Sequence, residues 1–190
     1  MVEEKTYGFT AANLEYVSLI YSNMQSDWWV DHISNDDELR VTSRMISNLI
    51  HDIKGLRSGY VSVKALNAVI NDEIKIGQLT NEHYHSRQTS GQSIVQYFLD
   101  HQDCTFEEFA MYLQRLCSVH KVLKAENMEL RKYQAETSNW IEAYEQAGIE
   151  LVKIGVERGD RWTRKVFEQH ANDLPTPLQQ VADNLAELYG

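Results

Sequence analysis

The sequence predicts a mainly α protein: one compact domain of about seven or eight helices, with one short strand or hairpin near residues 76–84. Three observations carry that expectation. The two prolines, Pro175 and Pro177, both sit near the end, so no proline interrupts a helix before Leu174. Apolar residues recur at three- and four-residue spacing through most of the length. Hydrophobic residues make up 43% and charged residues 24% of the 190, proportions that build a packed core. Within the domain, acidic helices fill 1–75, a core fills 76–130 and further helices fill 131–190.

The elements follow in order. Thr10 caps a helix from about Ala11 to Gln25, with Leu14, Val17, Tyr21 and Met24 on one face. A second helix runs from about Asp37 to Lys54, where Leu39, Ile46, Leu49, Ile50 and Ile53 make the stripe and Gly55 ends it. Leu56 to Val61, with Gly59, reads as a turn. Ser62 then caps a third helix with Leu66, Val69, Ile70 and Ile74 inward. Ile74 to Leu79 alternates apolar and polar, the pattern of a short strand. Ser90-Gly91 punctuates the chain before a short helix holding Ile94, Val95, Phe98 and Leu99. Thr105 and Glu108 form a capping box, and the helix they start carries Phe109, Leu113, Leu116 and His120 on one face. Another helix begins near Ala125. Trp140, Ile141, Tyr144 and Leu151 restore an apolar face with Gly148 inside it. Pro177 opens the last helix, with Leu178, Val181, Leu185 and Leu188 on one side.

Charge narrows the function. The formal net charge is −10, whereas a sequence-independent nucleic-acid binder carries a basic face. Residues 1–40 hold eight acids against Lys5 and Arg40, while Lys153 to Lys165 hold five basic residues against two acids. In that second stretch Arg158, Arg161 and Arg164 are candidates for phosphate contact, and the alternative is a solvated helix face. Two cysteines, Cys104 and Cys117, are too few for a disulfide scaffold, so a reducing, cytoplasmic setting is expected. No apolar run approaches the ~20 residues that span a bilayer, so no membrane partner is expected. Trp28 and Trp29, with Asp31 beside them, have two readings: a core-closing loop, or a hot spot for a partner protein.

Residues able to hold a metal or move a proton gather between Leu79 and Asn127. A carboxylate beside an imidazole, Glu82-His83, can hold a cation and activate water. Arg87 nearby can pair with a phosphate, and His120 and Asn127 can complete the shell. His120 also continues an apolar stripe, which suits a hydrogen-bonded core histidine. A zinc site from His83 or His85 with Cys104, Cys117 and His120 is chemically allowed; buried free cysteines are the alternative.

Glu82-His83, followed by Leu116-Cys117-Ser118-Val119-His120-Lys121 on a helix, resembles a degenerate HNH pattern. The resemblance implies a hairpin and helix around one Mg²⁺ or Mn²⁺ ion, cutting nucleic-acid phosphodiesters. It makes His83 the general base, Glu82 its acidic partner, and His120 the helix ligand. Where that family carries Asn before the helix His, this chain has Tyr112, Leu113 and Gln114. Leu79 to His83 and Ala125 to Leu130 are also similar to segments of small bacteriophage proteins. Two functions are therefore expected. The first is a non-enzymatic, acidic helical protein that binds a partner protein, such as one of a host cell, without a cofactor. The alternative is an HNH-like metal-dependent nuclease or a degenerate protein acting on nucleic acid.

Overall fold

The computed structural model describes residues 11–25, 36–51, 53, 57–155 and 162–189. They form nine α-helices and a four-stranded mixed sheet, and the chain divides into two compact units. The mainly helical expectation holds, and the sheet is an addition to it. No described helix is long and apolar enough to cross a membrane.

The first unit comprises residues 1–56 and 85–117, with 189–190. Its described helices are α1 (Ala11–Met24), α2 (Asp36–His51), α4 (Arg87–Asp100) and α5 (Phe106–Leu116). One apolar core joins Val17 and Ile20 of α1, Ile46 and Ile50 of α2, Ile94 and Phe98 of α4, and Phe109 and Leu113 of α5. Tyr21 packs its ring on Phe98, Phe106 and Phe109 and donates its hydroxyl to the Cys104 carbonyl at 2.7 Å. The predicted capping box opens α5: Thr105 Oγ1 accepts from Glu108 N, and Glu108 Oε2 accepts from Thr105 N at 2.7 Å.

Ser90-Gly91 does not interrupt the chain as expected. Ser86 caps α4 upstream, accepting from Thr89 N, and Gly91 lies buried inside the helix. The reason is a close helix crossing. A Cβ at Gly91 would overlap Ser47 Oγ and the Ser43 carbonyl oxygen of α2. Small residues on both helices let the two backbones approach.

The second unit comprises 57–84 and 118–188. Its strands are β1 (Arg57–Ser62), β2 (Thr80–His83), β3 (Val119–Val122) and β4 (Leu151–Lys153), in the order β2-β3-β1-β4. β1 and β3 run parallel; β4 on β1 and β2 on β3 are antiparallel. Around the sheet lie α3 (Val63–Ile70), α6 (Lys124–Gln134), α7 (Trp140–Gln146), α8 (Arg164–Gln169) and α9 (Leu178–Tyr189).

Five expectations are corrected here. Residues 57–62 are a central strand, not a turn. The strand expected near 76–84 is present at 80–83, but the alternating stretch Ile74 to Leu79 is not part of it and holds a 3₁₀ turn over Ile76–Gln78. α3 stops at Ile70 because Asp72 takes a left-handed φ of 58° while Glu73 N bonds the Ala68 carbonyl. α5 stops at Leu116, so His120 stands on β3 and not on a helix. The helix expected through Leu151 likewise ends at Gln146. Gly148, at φ 61°, lets Ile149 N bond the Tyr144 carbonyl at 3.0 Å, and the chain turns into β4.

The two faces of the sheet differ in chemistry. On one, Val61 and Val152 pack with Ala65, Leu66 and Val69 of α3 and Phe167 of α8. Alternation sends Ser58, Tyr60 and Ser62 to the other face. There their hydroxyls meet Tyr84, Asn184 of α9 and Glu126 of α6 respectively.

Candidate functional site

The second face gathers the polar residues singled out from the sequence. The β2–β3 register sets Glu82 opposite His120 and His83 opposite Val119. Successive strand residues point to opposite sides, so Glu82 and Tyr84 share a face with His120, while Asn81 and His83 lie on the reverse. α6 begins directly after β3 and its first turn brings two side chains down onto that face. Glu126 Oε2 accepts from Leu123 N at 2.9 Å and from Ser62 Oγ at 2.5 Å. Asn127 Nδ2 donates to Glu82 Oε2. α7 supplies Tyr144, whose hydroxyl bonds His120 Nε2 at 2.9 Å. The Tyr84 ring lies 4.6 Å from the His120 ring and its hydroxyl meets Ser58 Oγ at 2.8 Å.

This layer is enclosed. Glu82 is 9% exposed, Glu126 6%, Asn127 5% and His120 1%. Burial raises the Glu82 carboxyl from 4.5 to about 7, against the opposing pull of Arg131 and of the Gln134 amide. Burial, then the neighbouring His83, pushes His120 down to about 3, so its imidazole is neutral. Burial first, then the charges of Tyr84, Glu82 and Glu126, holds the Tyr144 hydroxyl well above its usual value. Two carboxyl groups thus flank a neutral His–Tyr pair. One acceptor is left over: Glu126 Oε1 is buried with no hydrogen-bond partner.

A carboxyl group that titrates near neutrality suits acid–base work. Here it is closed in by Asn127 and the sheet. The donor set does not fit Mg²⁺ or Mn²⁺ as arranged. Asn127 turns its N–H group to Glu82, and His120 Nε2 is taken by Tyr144. Among the described residues, no group of three or more His, Cys, Asp or Glu side chains is placed to hold a metal.

Thus Glu82, His120 and Asn127 come together, and His83 stands on the reverse of the same strand pair. Arg164 is engaged by Asp72, by Glu168 at 2.7 Å and by the Ile70 carbonyl at 2.9 Å, tying α8 to the end of α3. The Arg87 side chain, Arg158, Arg161, Trp28, Trp29 and Asp31 lie outside the described residues. Cys104 and Cys117 are free and buried, and burial pushes the Cys117 thiol up to about 12, an inert group. Tyr84, Tyr144, Glu126 and Ser62 are not legible as site residues in the sequence: Ser62 and Glu126 carry capping signals and Tyr144 an apolar-face position, none of which points to a site.

No family model, curated protein or solved structure matches this chain.

Proposed function

We propose that this chain is a non-enzymatic interaction protein that binds a partner protein through the outer side of α2. One observation carries the reading: α2 buries Ile46 and Ile50 yet keeps a second apolar row outside. Small polar residues Thr42, Ser43 and Ser47 are buried, while Val41, Met45 and Leu49 stand 53%, 55% and 40% exposed. These three recur at every fourth position and so form one row along the helix. Scattered exposed apolar residues need no explanation, but an ordered row bordered by the exposed Arg40, Arg44 and Asn48 is the form of a helix that fits a groove. Burying three half-exposed apolar side chains contributes on the order of 3 kcal/mol to binding. Tyr16 and Leu19 of α1, 45% and 53% exposed, add further apolar surface in the same unit.

The test is quantitative affinity capture with the full chain and with Met45→Lys, a change at an exposed position whose fold is checked by circular dichroism. A partner retained by the first and lost about tenfold by the second supports the reading. No specific partner, or equal retention by both, ends it.

A second reading, a degenerate HNH-like nuclease, draws on one observation. Two antiparallel strands and a following helix carry Glu82, His83 and Asn127, and Glu82 touches Asn127. It requires the Glu82–Asn127 contact to open before any ion could enter. Plasmid nicking in Mg²⁺ or Mn²⁺ that is abolished by His83→Ala would favour it over the first reading.

A further inference from the structure

We propose that the seam between α4 and α5 holds a binding site for the carboxylate group of a small ligand, formed by the Arg115 guanidinium and the Tyr97 hydroxyl. This inference is independent of both readings above. It starts from helical spacing. Ser93, Tyr97 and His101 recur at every fourth position toward the end of α4, and Tyr112 and Arg115 lie three apart on α5, so each set makes one row. The rows close on each other as a column of flat groups. The His101 ring stacks on Tyr97 at 4.6 Å, Tyr97 stacks on Tyr112 at 4.1 Å, and the Arg115 guanidinium lies 5.7 Å from the centre of the Tyr112 ring. Two bonds hold the column in place. Tyr112 donates its hydroxyl to the Ser93 carbonyl at 3.0 Å, and His101 Nδ1 meets the Tyr97 carbonyl at 3.0 Å.

At its Arg115 end the column has donors and no acceptor. Arg115 is half-buried, and its Nε–H is buried with no hydrogen-bond partner. Among the described residues its two Nη atoms make no hydrogen bond or ion pair either, and they reach solvent. The cation therefore rests on the Tyr112 ring alone. The half-buried Tyr97 likewise finds no acceptor for its hydroxyl among the described residues. Burial raises the pKa of both tyrosines, and the charge of Arg115 opposes that rise in each, so the guanidinium acts on both hydroxyls. Two carboxylates that act on the same tyrosines are turned elsewhere. Asp100 accepts from Gln96 at 2.9 Å, and Glu108 caps α5 by accepting from Thr105 N at 2.7 Å. A carboxylate on the Nη atoms would give the half-buried cation its missing anion through charge-assisted bonds, with the Tyr97 O–H as a further donor. Charge selects among oxyanions. This unit holds thirteen Asp and Glu against six Lys and Arg. A doubly charged phosphate meets that repulsion about twice as strongly as a singly charged carboxylate.

The experiment is a nuclear magnetic resonance titration of the full chain at constant ionic strength, following the arginine Nε–H and tyrosine ring signals. The probes are acetate, benzoate and inorganic phosphate, with chloride as the control. Saturable shifts of the Arg115 Nε–H and Tyr112 ring signals are expected with both carboxylates, with phosphate no tighter than acetate. Arg115→Gln removes the cation and should weaken carboxylate binding about tenfold. Tyr97→Phe removes one oxygen, leaves the stacked ring in place and should weaken it about threefold. The far-ultraviolet dichroism of both variants should match that of the wild type. No saturable carboxylate binding, or binding by both folded variants equal to that of the wild type, would overturn the proposal. Phosphate binding tighter than acetate would overturn the choice of a carboxylate.

Discussion

Glu82 makes the clearest prediction at the scale of a single residue. Its folded pKa, about 7, lies above the unfolded value of 4.5, so between those values the folded state holds more of its proton. Its contribution to stability is full below about pH 4.5 and is lost as the pH rises through 7, by at most ~3 kcal/mol. His120 has the opposite sign. Its folded value of about 3 lies below 6.5, so its cost grows as the pH falls through 6.5 toward 3. The groups around Glu82 are His120, Asn127, Arg131, Gln134 and Tyr144, with His83 on the reverse of the strand. The Glu82→Gln variant separates the two slopes. Subtracting its urea-unfolding curve from that of the wild type should leave a difference that falls from pH 5 to 8. A flat difference would mean that Glu82 is not buried as described. Tyr144→Phe removes the hydroxyl facing His120 Nε2 and should cost ~1–3 kcal/mol in the same assay, because a buried ring nitrogen is left without its partner.

At the scale of elements, the α2–α4 crossing depends on Gly91. Gly91→Ala improves helix propensity but drives a methyl group into the Ser43 backbone and Ser47. Chemical denaturation should show a loss of ~1–3 kcal/mol; a neutral or stabilising result would contradict so close an approach. Helix starts show what the sequence could disclose. Thr105 with Glu108, Ser62 as a cap and Pro177 before the last helix are local signals, and each marks a helix start in the structure. The strands have no such signal. β1 is buried on both faces and mixes Ser58, Gly59 and Ser62 with Tyr60 and Val61, so it shows neither alternation nor a plain apolar run. Its partner β3 lies about sixty residues on and is four residues long. His120 fell on the helical spacing of Leu113 and Leu116 by coincidence, since α5 ends at Leu116 and Val119 opens the strand. Glu82 and His120 could be named as a pair from residue type alone. Glu126 and Tyr144 could not, because only the register of β3 against β1 and β2 brings them in.

At the scale of the whole molecule, each unit departs in one place from apolar-inside packing. In the second unit a sheet face is lined by serines, tyrosines, carboxyl groups and a histidine, satisfied by one another apart from Glu126 Oε1. In the first, α2 turns Val41, Met45 and Leu49 to solvent. The enclosed layer orders the sheet against α6 and α7, and the open row is free to bind. The two readings of function separate on this contrast. The measurement that decides is the affinity of a captured partner, by calorimetry, for Met45→Lys and His83→Ala side by side. About tenfold weaker binding is expected for Met45→Lys and unchanged binding for His83→Ala. Unchanged binding by Met45→Lys, with loss in His83→Ala, would place the function on the strand pair instead.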